Sequence, residues 1–233
     1  DIKPPNRIYG HGWILSDKEK MSKSKGNVLD PLEMINIYGV VQLRYYLIKE
    51  VSFGKDGNIS NENIENCINS DLANNYGNFC QRTFSFAEKN CKGIVPRDID
   101  FNSEDLKILN SFSNNITKIR SLMDNQQLNE YVKFIIDKSF DANKYFNDEA
   151  PWNKKDDKKR LNTIIYVSLE VIRKISILLL PIIPCSANKA LTSLSLNTKT
   201  LKLSSITDHL INKPGTKIIN QGILFQKIEK NND

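Results

Sequence analysis

Apolar and polar positions alternate irregularly at the start of this chain and then settle into a helical period. "RIYGHGWIL" at 7–15 reads as a strand or strand pair, and a loop follows at 16–30. Asp30-Pro31 has the form of a helix start, with aspartate as N-cap and proline in the first turn. "PLEMINIYG" then predicts a short helix stopped by Gly39. "VVQLRYYLIKEV" places apolar residues at 40, 43, 47 and 48 with a second set at 45 and 46, a helix of about three turns. "SFGKDGNIS" at 52–60 predicts a turn-rich link. It has neither the order of a phosphate loop nor enough acidic residues for a calcium loop.

From Ser60 onward the pattern is helical. "NENIENCINS" predicts one short helix and "DLANNYGNFCQRTFSFAEKN" a longer one ending near Gly93. Ser103 is expected to cap a third, with apolar positions at 106, 109, 116, 119 and 123. Further helices are expected over about 127–147, 158–180 and 185–195, before an irregular tail that includes a turn at Pro214-Gly215. Five or six amphipathic helices with short connections make a mainly α protein: a helical bundle over 61–233, preceded by a small α/β region over 1–60.

Composition narrows the class. With 39% hydrophobic and 26% charged residues over 233 positions, the chain can bury a real core and is not of the disordered type. A net charge of +6 suits a polyanionic partner, and suits equally the lysine and asparagine bias of an AT-rich genome. Four cysteines without a C-x-x-C pair and two histidines assemble no zinc site; they read as free thiols in a reducing cytosol. "ISILLLPIIP" at 175–184 is the most apolar stretch. It is half the length of a membrane span and carries two prolines, so a buried helix end is expected. The opening residues read as neither a secretory nor a transit signal and begin as though in mid-domain, so the chain is expected to be a piece of a longer protein.

Two groups of residues could carry chemistry. "KMSKSKGN" at 20–27 gathers Lys20, Lys23, Lys25, Ser22, Ser24 and Gly26. Ammonium groups, small hydroxyls and glycine let a loop approach phosphate oxygens closely; a solvated basic turn would have the same composition. On the helix from Asp71, residues Leu72, Tyr76, Phe79, Thr83 and Ala87 form one buried stripe. Asn74, Asn78 and Arg82 lie four apart on the roughly opposite face. Two amides and a guanidinium in a row can read unpaired base edges, because each donates or accepts in a defined plane; a merely solvated polar face is the other reading. Trp152, beside Pro151, is either half-buried core or a stacking platform for a base, and the lysines of "NKKDDKKR" at 153–160 stand next to it.

The order of these residues resembles a known family. "KMSKS" at 20–24 is identical to the signature loop of class I aminoacyl-tRNA synthetases, and the following "KGNVLDP" and "YGVVQLRYYLIKE" resemble the stretch after that loop in methionyl-tRNA synthetases. "DLANNYGNFCQR" and "DEAPW" resemble that family's anticodon-reading helix and its tryptophan turn, and "GILFQKIEK" resembles the end of its core. The resemblance implies methionine activation with ATP and magnesium, then transfer to tRNA(Met). It implies that Lys23, assisted by Lys20, stabilises charge on the ATP phosphates, with Ser22 and Ser24 in the same loop. It also implies that Asn74, Asn78, Arg82 and Trp152 contact the anticodon.

"YGHGW" at 9–13 is not the class's upstream histidine signature, which together with the nucleotide fold and any zinc knuckle would precede residue 1. The chain is therefore expected to bind tRNA weakly, to catalyse little by itself and to act as a cytoplasmic monomer without a metal site. Two alternatives stand beside this reading. A different class I synthetase, such as the cysteine or valine enzyme, would show another anticodon preference. A non-catalytic helical RNA-binding module would have no use for the lysine loop.

Overall fold

The computed structural model describes residues 2–229; the outer ends of the two expected regions, at 1 and 230–233, lie outside the described residues. β1 (Ile14–Ser16) is the centre of a three-stranded sheet: β2 (Glu19–Lys20) pairs with it antiparallel, and β3 (Gly57–Ile59) pairs with it parallel. The strand expected over 7–15 is reduced to its last two residues plus Ser16, because the segment before it finds no ladder partner. The link at 52–60 instead supplies β3, which sits beside β1 once α1 (Pro31–Tyr38) and α2 (Val40–Glu50) have crossed over. Asp30 caps α1, accepting from the Leu32 N–H at 2.8 Å, and Gly39 ends it with φ of 86°.

The two helices predicted on either side of residue 70 are one rod. α3 (Asn61–Cys67) runs through a π-helical stretch at Ile68–Gly77 into α4 (Asn78–Asn90) without a break. The wider turns bring Asp71 and Asn75 inward together with Leu72 and Tyr76. Asn75 is 1% exposed and bonded to the helix at Leu128–Glu149: its side-chain amide donates to the Ile136 carbonyl, and its Oδ1 accepts from Asn143 at 2.9 Å. Gly77 closes the π stretch where there is no room for a side chain, since a Cβ would meet the Leu72 carbonyl oxygen at 2.7 Å and the Phe225 ring at 3.2 Å. We expect Gly77→Ala to lower stability by about 1–3 kcal/mol, as overpacking of a close-packed site does, read as a lower urea midpoint with an unchanged slope.

Beyond this rod lie α5 (Ser103–Ser113), α6 (Ile116–Asp124), α7 (Leu128–Glu149), α8 (Lys158–Leu179) and α9 (Pro184–Ser193). Asn102, not Ser103, caps α5, in a reciprocal capping box with Asp105. The third helix expected from Ser103 divides at Asn114–Asn115, where the apolar spacing also shifts. α8 is the axis of the bundle, buried on every side from Ile164 to Leu179, and the apolar stretch at 175–184 forms its end and its joint with α9. Among the described residues no helix is long and apolar enough to cross a membrane.

Polar contacts join the sheet region to the bundle. Arg44 on α2 donates to the carbonyls of Pro181 and Ile182 just past the end of α8, at 3.1 and 2.6 Å. Asp71 on the rod accepts from the Tyr45 hydroxyl and pairs with Lys49, both at 2.8 Å, and from the Ser70 hydroxyl at 2.7 Å. Burial and this carboxylate push the Tyr45 phenol well above its ordinary range, so it serves as a fixed donor.

Candidate functional site

The lysine loop projects from the β1–β2 edge. Lys20 ends β2 with its ammonium 4.6 Å from the centre of the Trp13 ring, a cation–π placement. Lys23–Lys25 form a single 3₁₀ turn closed by Gly26 at φ of 66°. The Asn27 side chain ties the turn back, accepting from the Ser22 N–H at 2.8 Å and donating to the Lys20 carbonyl at 3.3 Å. The Ser22 and Ser24 hydroxyls bond each other at 2.7 Å. Lys25 is occupied by Glu19 at 2.8 Å, whereas Lys23 is exposed and has no acidic partner among the described residues. The loop thus holds one cation against a ring, one in an ion pair and one open to solvent.

The second site is built where α4 meets the C-terminal end of α7. Asn74 and Asn78 are exposed, and among the described residues neither side-chain amide is hydrogen-bonded within the protein. Arg82 is half-buried: its Nη2 donates to Asn147 Oδ1 at 2.7 Å. Its guanidinium lies 5.1 Å from the centre of the Phe146 ring and 6.0 Å from that of Trp152. Burial lowers the Arg82 pKa, yet an arginine remains charged at any physiological pH. Trp152 sits in the 3₁₀ turn Pro151–Asn153 with 41% of its surface exposed and its ring centre 6.2 Å from that of Phe146. Phe146 is in turn held edge-on by Phe79 and Phe86.

Three of the four residues singled out on this face are therefore available to a ligand as they stand, and the fourth is pre-oriented. Phe146 and Asn147 carry no signal of this role in the sequence beyond proximity to "DEAPW"; they sit six and five residues before the tryptophan, at the end of α7, and orient Arg82 from beneath and beside. The lysine loop and this face lie on separate elements, so the chain presents two sites rather than one. Among the described residues no group of three histidine, cysteine, aspartate or glutamate side chains could hold a metal ion.

Residues 1–84, which carry the lysine loop and the first part of the helical rod, match the family model described as tRNA synthetases class I (M). Residues 95–233 match the one described as the anticodon binding domain of methionyl tRNA ligase, and the chain belongs to the methionyl-tRNA ligase family. The chain is 40% identical to a methionine–tRNA ligase of Rickettsia felis over 98% of its own length and 46% of the relative's. With that of Brucella suis the identity is 43% over 82% of the chain and 37% of the relative. A Mycobacterium tuberculosis methionyl-tRNA synthetase solved in complex with methionyl-adenylate superposes with a TM-score of 0.89 at 36% identity, over 96% of this chain and 45% of that one. The chain thus spans less than half the length of the relatives it matches.

Proposed function

We propose that this chain is the part of a methionine–tRNA ligase that presents the KMSKS loop to ATP and reads the anticodon of tRNA(Met). In this reading residues 1–60 form the loop and stem-contact unit, and residues 61–233 the anticodon-binding domain. The observation that carries it is the Arg82 arrangement. A guanidinium held in plane by Asn147 and backed by Phe146 and Trp152 continues a row of two exposed amides whose donors and acceptors are unspent.

Such a row suits a single-stranded loop. Splayed bases offer flat faces to Trp152 and hydrogen-bonding edges to Asn74, Asn78 and Arg82. Lys23, open to solvent, suits the ATP phosphates bound with magnesium, with Lys20 beside it in the same loop. Each supplies positive charge where negative charge is spread over non-bridging oxygens. Ser22, Ser24 and the Asn27 tie keep that loop short and closely folded. The chemistry also requires the methionine and adenosine pockets, so this chain by itself is expected to give no appreciable methionine-dependent pyrophosphate exchange. A monomer acting in the cytoplasm belongs to the same reading.

The test is binding to a hairpin carrying the anticodon CAU, beside the same hairpin with its first anticodon base replaced. Nonspecific phosphate attraction fades with salt. A preference for CAU that survives added salt is the expected result. Equal, salt-sensitive binding to both hairpins would reduce the face to a basic helical surface.

A further inference from the structure

Trp152 is carried by a turn outside any α-helix, and that turn is closed at its base by a charged network of its own. α7 ends at Glu149, Ala150 follows with φ of 43°, and α8 begins at Lys158, so eight residues cross between the two helices. Arg160, in the first turn of α8, reaches back across the gap. Its Nε and Nη2 donate to Glu149 Oε2 at 3.1 and 2.7 Å. Its Nη1 and Nη2 donate as a fork to Asp105 Oδ2 and Oδ1, at 2.6 and 3.0 Å.

Asp105 is fully buried and also accepts from the Tyr145 hydroxyl and from the Asn102 N–H that it caps. The anchor is therefore saturated. A bidentate guanidinium on a desolvated carboxylate is among the more geometrically restrictive pairs available to a protein. Glu149 is different, because it is the outer member and its only polar partner among the described residues is Arg160. It does nothing for the cap of α5 and everything for the span between α7 and α8.

We propose that Glu149 and Arg160 are positioning residues for Trp152. They fix the distance between the ends of the turn and so hold the indole beside Arg82 and Phe146, ready for a base. This deepens the anticodon reading and rests on it for the identity of the ligand, but the placement itself can be measured without RNA. The "DEAPW" motif alone offers no such role, since Arg160 lies eight positions after the tryptophan, at the far end of the lysine-rich stretch.

The experiment uses the 233-residue chain with Trp13→Phe, so that Trp152 is the single tryptophan. Three further variants are made in that background: Glu149→Ala, Glu149→Gln and Trp152→Ala. Acrylamide quenching of Trp152 in the free protein reads placement, and CAU-hairpin titration reads its use.

Glu149→Ala is expected to raise the quenching constant about twofold and to weaken the hairpin by roughly three- to fivefold, the upper range for losing a partly exposed ion pair. Glu149→Gln keeps an oxygen acceptor for Arg160 and is expected to restore most of both. Trp152→Ala is expected to weaken binding at least as much as Glu149→Ala. Unchanged quenching and unchanged affinity in Glu149→Ala would overturn the positioning role. So would failure of Glu149→Gln to recover either readout. Altered quenching with hairpin binding indifferent to both Glu149→Ala and Trp152→Ala would uphold the placement and overturn the anticodon reading instead.

Discussion

Replacing Lys174 with methionine is expected to destabilise the chain by about 1–3 kcal/mol, the cost of leaving buried acceptors without their donor. Lys174 and Arg173 are fully buried on α8, and each holds the segment that returns over the helix from 203 to 212. Lys174 donates to the carbonyls of Ile206 and Asp208 and to His209 Nδ1. Arg173 donates to the carbonyls of Ser205 and Asp208 and pairs with Glu170 at 2.7 Å. Glu170 in turn accepts the Asn212 N–H. Methionine matches the lysine stem but leaves two carbonyls and a ring nitrogen without their donor. The measurement is a urea titration followed by circular dichroism; a loss under about 1 kcal/mol would mean that water replaces the ammonium and that the segment is held elsewhere.

The same network makes stability rise with pH. Burial and the adjacent Arg173 guanidinium push Lys174 down to about 7, while an unfolded lysine keeps its proton to about 10.4. Between those values the unfolded chain binds more protons than the folded one, so its contribution to stability grows as pH rises, at up to about 1.4 kcal/mol per unit. His209 acts in the same direction at lower pH. Its Nδ1 accepts from Lys174, which leaves Nε2 as the donor to Asn110 Oδ1, so the ring is held neutral and burial lowers its pKa. Its contribution is present above the unfolded histidine value of about 6.5 and is lost as pH falls below it. Urea midpoints are therefore expected to climb from about pH 5 through about pH 9. His209→Gln should flatten the acidic part of that climb, and Lys174→Met the alkaline part.

The second large effect belongs to Arg82. Arg82→Ala is expected to weaken the CAU hairpin by about 2–3 kcal/mol, or roughly 30- to 150-fold, as removal of a central interface arginine does. It should also erase most of the preference over the altered hairpin. Arg82→Lys should rescue little, because an ammonium keeps the charge but not the planar fork that Asn147 orients. Lys155→Ala is the contrasting control: loss of this exposed lysine should weaken both hairpins equally and lower the salt slope by about 1. If Arg82→Ala behaves like Lys155→Ala, the guanidinium meets phosphate rather than a base.

How much of this was legible beforehand depended on whether a residue's role is local. Asp30-Pro31 and Gly39 announce α1 because capping and a positive φ are decided by neighbours in sequence. The Asn74–Asn78–Arg82 row was legible because helical spacing alone puts residues four apart on one side. The inward turn of Asn75 was not. It depends on the π stretch and on Asn143, 68 residues away, which supplies the hydrogen bonds that make a buried amide tolerable. "GNI" has no strand character of its own, so the sequence there predicts only a link; it is a strand because β1 stands beside it with backbone groups to pair.

By itself, the sequence determined the helical class, the presence of the lysine loop, the polar row at Asn74, Asn78 and Arg82, and the family, since each rests on the order and spacing of nearby residues. Only the tertiary structure decided which charged groups are buried and what they hold. Lys159, Arg160, Arg173 and Lys174 look alike in sequence, as basic residues in adjacent pairs on one long helix. Yet Lys159 is exposed, Arg160 closes the tryptophan turn, and Arg173 and Lys174 are sealed in the core. Apart from Glu170 on α8 itself, the partners of the last three come from α5, α7 and the returning segment at 203–212, and these charges are buried where such distant acceptors converge on them. That convergence is a property of packing, and no local pattern encodes it.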